Sequence, residues 1–436
     1  MDVVTALRAL VAHRTIAAPV DEPTDREPFE ALLATMREQF PQLHARCEVT
    51  RIAQDGLLIR WAGRSSEAPV VLMGHLDVVP INPDDHWTHP PFDGVEADGM
   101  LWGRGTLDCK GPVAALCAAV EDALADGFTP ARDVWLSFGC NEEVSGGAAV
   151  EAVKALEVRG VRPWFVLDEG GAVVSEAFPG VEVPLALIGV GEKGYLDLDL
   201  TVTGEGGHSS MPTRNGATAR LARAIVRLEE HPFSPHLTEA TLEMFARIAP
   251  HASGPFAAVL SRARHLRGPL ASALARMGAE TAAMVRTTIA VTQLEASPAR
   301  NVLAATAHAS VNARVMPGET IATTVRRVRR TIGDRTVKVT VHSGSEPTEL
   351  APLDAAFDLL CEVTEVAIPD ALPVPYLVMG TTDARHFQRR WPNVYRFNPL
   401  RYSPAQRQSL HNVDERVSVA SLTEAVAWYR LLVERI

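Results

Sequence analysis

From Ala68 to Val190 the chain alternates short β-rich runs with helical stretches. APVVLMGH leads to GPVAALCAAVEDALADG, then DVWLSFG, GGAAVEAVKALEVRG and PWFVLDE. Strands spaced by helices in this way specify an α/β layer with a mainly parallel sheet, because parallel neighbours need a crossover that a helix supplies. In the first helix Val113, Leu116, Cys117, Val120 and Leu124 recur at helical spacing and would face that sheet. The strands share a second property. His75 and Asp77 close VVLMGHLD, Asp108 follows the turn GRGTLD, Glu142 and Glu143 follow DVWLSFGCN, and Asp168 and Glu169 follow PWFVL. Open α/β sheets bind ligands at the carboxyl ends of their strands, so these side chains are candidates to meet at one site.

After Gly194 the pattern changes. YLDLDLTV alternates with period two, as a strand does when one face is solvated. A helix near Ala217–Glu229, strands near Thr287–Leu294 and Ala305–Arg314, a helix near Ile321–Thr331 and a strand Thr336–Val341 follow, a ferredoxin-like β-α-β-β-α-β order. The chain therefore divides into a catalytic-type domain in two parts, residues 1–191 and 346–436, with a smaller α+β domain of residues 192–345 inserted between them. Within the insert, residues 231–285 form an Ala-rich, helix-patterned segment carrying Phe233, Leu242, Met244, Phe245, Phe256, Leu260, Leu266 and Met277. Those apolar residues suit a wall for long acyl or bulky hydrophobic substrates, or equally the segment's own core or a dimer contact.

Charge and cysteine usage narrow the partners. With 42 basic and 53 acidic side chains the net charge is −11, which disfavours nucleic acid and anionic membrane surfaces. Five cysteines without a CxxC pair fit reduced thiols in a cytoplasm. The N-terminus, with Asp2, Arg8, His13 and Arg14, reads as an amphipathic helix, and no uncharged apolar run is long enough to span a membrane. One motif misleads: GVGEKG has the GxGxxG spacing, but it leads into a strand, so the phosphate-binding helix N-terminus is missing and the segment reads as a hinge. His86 and His89 lie in a Pro-bracketed loop and are read as shaping the mouth of the site.

One histidine with several carboxylates suits a borderline divalent ion such as zinc, cobalt or manganese, and a pair of such ions would serve amide hydrolysis. HLDVVP, Trp87 with PPF, GRGTLDCKG, CNEEVSG, VLDEGG, GEGGHSSMP and HNVDE occur in order along nearly the whole chain. In this they resemble the dizinc family of aminoacylase, carboxypeptidase S and succinyl-diaminopimelate desuccinylase, most of all its carboxypeptidase S and N-fatty-acyl-amino-acid hydrolase branch. The resemblance implies a zinc-exopeptidase catalytic domain with an inserted lid and dimerisation domain. It further implies two divalent metal ions per chain, held by His75, Asp108, Glu143, Asp168 and His411, with Asp108 bridging and Glu169 the alternative to Asp168.

By the same resemblance Glu142 is the general base and Asp77 orients His75. His208 would be donated across a homodimer interface to the developing oxyanion. Asn301, Arg314 and the loop Gly380, Thr381, Thr382 and Asp383 would contact substrate, with Arg314 on its carboxylate. Asn141 stands where relatives often have Asp, and the peptide Asp108-Cys109 is expected to be cis. The activity implied is hydrolysis of an amide beside a free amino-acid carboxylate, in an N-acyl amino acid or a short peptide. A dipeptidase of the same family and a metal-bound, catalytically silent binding dimer are the alternatives.

Overall fold

The computed structural model describes residues 1–178 and 180–436. Its centre is a ten-stranded mixed sheet. Ser65–His75 lies parallel to Arg132–Gly139 on one side and to Phe165–Asp168 on the other, and Val394–Arg396 continues parallel to Phe165–Asp168. All four run the same way, so their carboxyl ends lie along one edge. The last seven residues of Ser65–His75 are buried on both faces, which is why this strand reads as a continuous apolar run instead of alternating.

Helix Lys110–Ala125 is buried almost all round, between the sheet and the helices Val3–Val11 and Val419–Arg435. Val113, Leu116, Cys117, Val120 and Leu124 all lie in the main core. Val3–Val11 is capped by Asp2, whose carboxylate accepts the Val4 N–H at 3.0 Å. No helix among the described residues is long and apolar enough to cross a membrane.

The chain leaves this sheet at Glu192. After the single residue Lys193 it enters a second sheet at Gly194. The second sheet has four strands in the order Thr288–Glu295, Thr306–Val315, Gly194–Thr203, Val337–Ser345, every neighbouring pair antiparallel. Leu196, Leu198, Leu200 and Val202 point to one face, where Leu221, Val325 and Val328 of helices Ala217–Glu230 and Ile321–Ile332 cover them. Asp197, Asp199, His308 and Asn312 point to the other.

The segment 231–285 departs from the expectation that it belongs to the insert. Its helices Glu239–Ile248, Gly254–Leu260, Arg267–Met277 and Ala279–Val285 bury Leu242, Met244, Phe245, Ile248, Leu260, Leu274 and Val285 in the same core as Leu185, Ile188, Phe357 and Val374 of the large domain. Phe178 meets Phe245 edge-on at 6.0 Å. The physical reason is that strands Leu185–Glu192 and Leu372–Val378 offer an apolar surface that must be covered, whereas the small sheet already has its two helices. Most of the apolar side chains offered for an acyl-binding wall are thus used in packing. Phe233 stays with the insert, under the guanidinium of Arg327 at 4.6 Å, and Met277 is exposed.

Candidate metal centre

Three strand ends, the 103–108 turn and one distant loop build the centre. His75 ends its strand fully buried, with Nδ1 held by the backbone carbonyl of Asp77 at 3.0 Å, so that Nε2 faces the cluster. Asp108 faces it from the 103–108 turn and is shared evenly: Oδ1 lies 2.9 Å from His75 Nε2, and Oδ2 lies 3.0 Å from His411 Nε2. The peptide that follows it, Asp108-Cys109, is cis. His411 comes from 303 residues further along the chain and also lies 3.2 Å from Glu143 Oε2. Glu143 Oε1 is buried with no hydrogen-bond partner among the described residues.

The fifth residue of the expected ligand set differs from the first expectation. Asp168 is buried, and its Oδ2 accepts the Ala384 N–H at 2.7 Å, which turns it toward the 380–384 loop. Glu169 is the neighbour that faces the cluster, with Oε1 3.6 Å from His75 Nε2. At the strand's end the chain turns, so one residue's difference decides which carboxylate reaches the cluster, and sequence spacing leaves both open. Cys109 Sγ also lies near His75 and Glu169. Burial pushes its thiol well up, which leaves the carboxylates as the anionic donors.

Electrostatically the cluster lacks positive charge. Burial and the neighbouring Asp108 push Glu169 up to about 8. Burial opposes protonation of His75, yet Glu169, Asp108 and Asp77 together raise it well above its ordinary value. His411 is raised to about 10, first by its hydrogen bonds to Asp108 and Glu143. Without an added cation, the two imidazoles of His75 and His411 face the three carboxyl groups of Asp108, Glu143 and Glu169. The donor set and the orphaned Glu143 oxygen fit divalent metal ions, with His75, Asp108, Glu143, Glu169 and His411 as the residues that would hold them.

Glu142 and Glu143 occupy a turn that Asp77 anchors. The fully buried Asp77 accepts the N–H of Glu142 through Oδ1 and that of Glu143 through Oδ2, both at 3.1 Å. Its carboxylate therefore acts first on this turn and only distantly on His75, 3.5 Å from Nδ1. The Glu142 carboxylate meets no hydrogen-bond donor among the described residues, and burial raises it well above the usual range. Asn141 Oδ1 accepts the Ala148 N–H at 3.1 Å, at the start of helix Ala148–Val158.

The remaining candidates are spread out. Thr382 donates its N–H and hydroxyl to Glu192 Oε2 at 3.1 and 3.0 Å, and Asp383, buried behind the cluster, is pushed up to about 7 by that burial. Nothing lies near a Cβ placed on Gly380, and Thr381 is half-buried beside it. Arg314 stands opposite Tyr195 and Thr288 at the hinge end of the small sheet, with no ion-pair partner among the described residues. His208 and Asn301 come together at the opposite end, where Gly207–His208 pairs with Val302–Leu303 and the Asn301 carbonyl accepts the Ser209 N–H. The ten-residue strand Thr306–Val315 separates the two ends by roughly 30 Å. One chain therefore does not bring Arg314 together with His208 and Asn301.

Residues 71–435 match the model of peptidase family M20/M25/M40. A probable carboxypeptidase S-like 2 of Dictyostelium discoideum is 36% identical over 91% of this chain and 77% of its own length. The human N-fatty-acyl-amino acid synthase/hydrolase PM20D1 is 34% identical over 84% of this chain and 74% of its own. Among solved structures, an M20 family metallo-carboxypeptidase from Sulfolobus solfataricus superposes with a TM-score of 0.74 at 16% identity, covering 100% of this chain and 99% of that one. Human carnosine dipeptidase 1 does so with 0.69 at 18%, covering 100% and 96%.

Proposed function

For a chain that belongs to peptidase family M20/M25/M40 and hydrolyses amide bonds with divalent metal ions, we propose an N-acyl-amino-acid amidohydrolase or carboxypeptidase acting on short substrates. The observation that carries this reading is the even sharing of Asp108 between His75 and His411, with a carboxylate on either side. Such a set suits two ions, zinc first and cobalt or manganese next. When bound, the ions polarise the amide carbonyl and make water more acidic.

The chain's own residues supply the proton handling and the orientation. Glu142, raised by burial and held by Asp77 through its backbone, takes a proton from the attacking water and passes it to the leaving nitrogen. Arg314, free of a carboxylate partner, offers a two-pronged contact to the substrate's carboxylate. His208 is exposed at the far end of the small domain, with Nδ1 on the Ser210 hydroxyl at 2.8 Å. This placement favours service to a partner subunit, and hence a homodimer formed through the inserted domain. Sedimentation showing a strictly monomeric active species would rule that role out. All five cysteines are unpaired, in keeping with a reducing compartment such as the cytoplasm.

The test is amine release by zinc- or cobalt-loaded protein across N-acetyl, N-long-acyl and dipeptide substrates, with Glu142→Gln alongside. Release from acyl amino acids is expected, and Glu142→Gln should lose about 10²–10⁴-fold in turnover while keeping its metal. Full turnover by Glu142→Gln would refute the assigned base. Release from dipeptides alone would make the enzyme a dipeptidase.

A further inference from the structure

Four residues after His411, Glu415 is completely buried, and it is spent entirely on the loop that carries Asp108. Its Oε1 accepts the backbone N–H groups of Gly105 at 3.0 Å, Leu107 at 2.8 Å and Asp108 at 3.2 Å, and its Oε2 accepts Arg104 Nη1 at 2.8 Å. The Glu415 carbonyl accepts a fifth donor, the Gly103 N–H, at 2.9 Å. The preceding residue, Asp414, holds a second loop: Oδ1 takes the Thr88 N–H at 2.7 Å and Oδ2 the Thr88 hydroxyl at 2.8 Å. His411 is itself more than half exposed, and its backbone is left-handed, with φ 56°. Its place relative to Asp108 is therefore not set by packing of its own ring.

We propose that Glu415 is a positioning residue that sets the spacing of Asp108 and His411, and through it the affinity of the centre for metal. The argument rests on the metal-centre reading above. Three N–H groups converging on one carboxylate oxygen hold the 105–108 backbone to the segment bearing His411, so the two metal-facing side chains move as one unit. A carboxylate meets these demands because it offers acceptors only. A Gln has one acceptor oxygen and must turn its NH2 toward either Arg104 or the backbone donors. An Asp keeps the charge but falls one methylene short of the loop.

The experiment is competition of Co²⁺ between a chelator and the full-length protein at 25 °C, on wild type, Glu415→Gln, Glu415→Asp and Arg104→Lys. In the folded Glu415 variants Co²⁺ affinity is expected to fall about 10–100-fold, the range seen when a residue supporting a metal ligand is removed. Arg104→Lys leaves the three backbone contacts in place and should stay within about threefold of wild type on the same argument. A purely structural role would lower the melting temperature of the Glu415 variants and leave affinity in the folded protein unchanged. That result, in whichever of the two variants folds, overturns the proposal, as does an Arg104→Lys loss equal to that of Glu415→Gln. A wild-type protein that takes up no Co²⁺ fails the metal-centre reading itself, which separates the two failures.

Discussion

Asp77→Asn separates two roles for this carboxylate. If Asp77 chiefly fixes the His75 tautomer, the substitution should strip the metal held by His75. The geometry argues otherwise, because the His75 Nδ1 proton goes to the Asp77 backbone carbonyl at 3.0 Å, which the substitution leaves intact. The side chain instead serves two N–H groups, of Glu142 and Glu143. Asn provides one acceptor oxygen, so one of those donors loses its partner and faces an NH2 group. Losing one hydrogen bond to a buried charge costs about 1.5–3 kcal/mol, and the unsatisfied N–H adds about 1–3 kcal/mol, so a destabilisation of about 2.5–6 kcal/mol is expected. The functional defect should fall on the turn bearing Glu142 and Glu143. Turnover should drop about 10–100-fold, and of two metal equivalents the one on the Glu143 and His411 side should weaken while the other stays. Chemical denaturation, metal titration by calorimetry and amine-release kinetics on one preparation read all three. Equal weakening of both metal equivalents, or stability within about 1 kcal/mol of wild type, would refute the reasoning, since the two contacts at 3.1 Å would then carry little.

Three further single substitutions test neighbouring residues. Glu169→Gln should lose metal on the His75 side with little change in metal-free stability, whereas Asp168→Asn should chiefly destabilise the fold by weakening its hold on the Ala384 N–H; the opposite pattern in metal content would restore Asp168 as the ligand. Arg396→Met breaks a fully buried pair with Glu192, Nε to Oε2 at 3.1 Å, and strands a carboxylate that also holds Thr382. It should cost about 3–5 kcal/mol, and adding Glu192→Gln should recover part of that. A single variant unfolding within about 1 kcal/mol of wild type would show that water reaches the pair.

Much of the fold is legible in the sequence because its cues are local. The alternation of apolar strands with amphipathic helices marks the large sheet, and the change to period two at YLDLDLTV marks the small one, whose strands begin and end within a few residues of where the pattern puts them. The segment 231–285 shows the limit. Helical periodicity announces helices there, but which apolar surface they cover depends on what the rest of the chain leaves open, and that is the edge of the large sheet.

The candidate centre divides in the same way. Residue types at strand ends, together with motif resemblance, point to His75, Asp108, Glu142, Glu143 and His411 before any coordinates, since a parallel sheet gathers its carboxyl ends along one edge. The choice of Glu169 over Asp168 belongs to tertiary structure, because it turns on which carboxylate the Ala384 N–H captures from 216 residues away. So does the work of Asp77 on the Glu142 turn, and of Glu415, which in the motif HNVDE looks like an ordinary acidic residue. Sequence determines which groups are available and which local elements carry them. Only the folded chain decides which buried donor each carboxylate must satisfy, because a buried charge takes its partner from whatever the whole structure brings within about 3 Å.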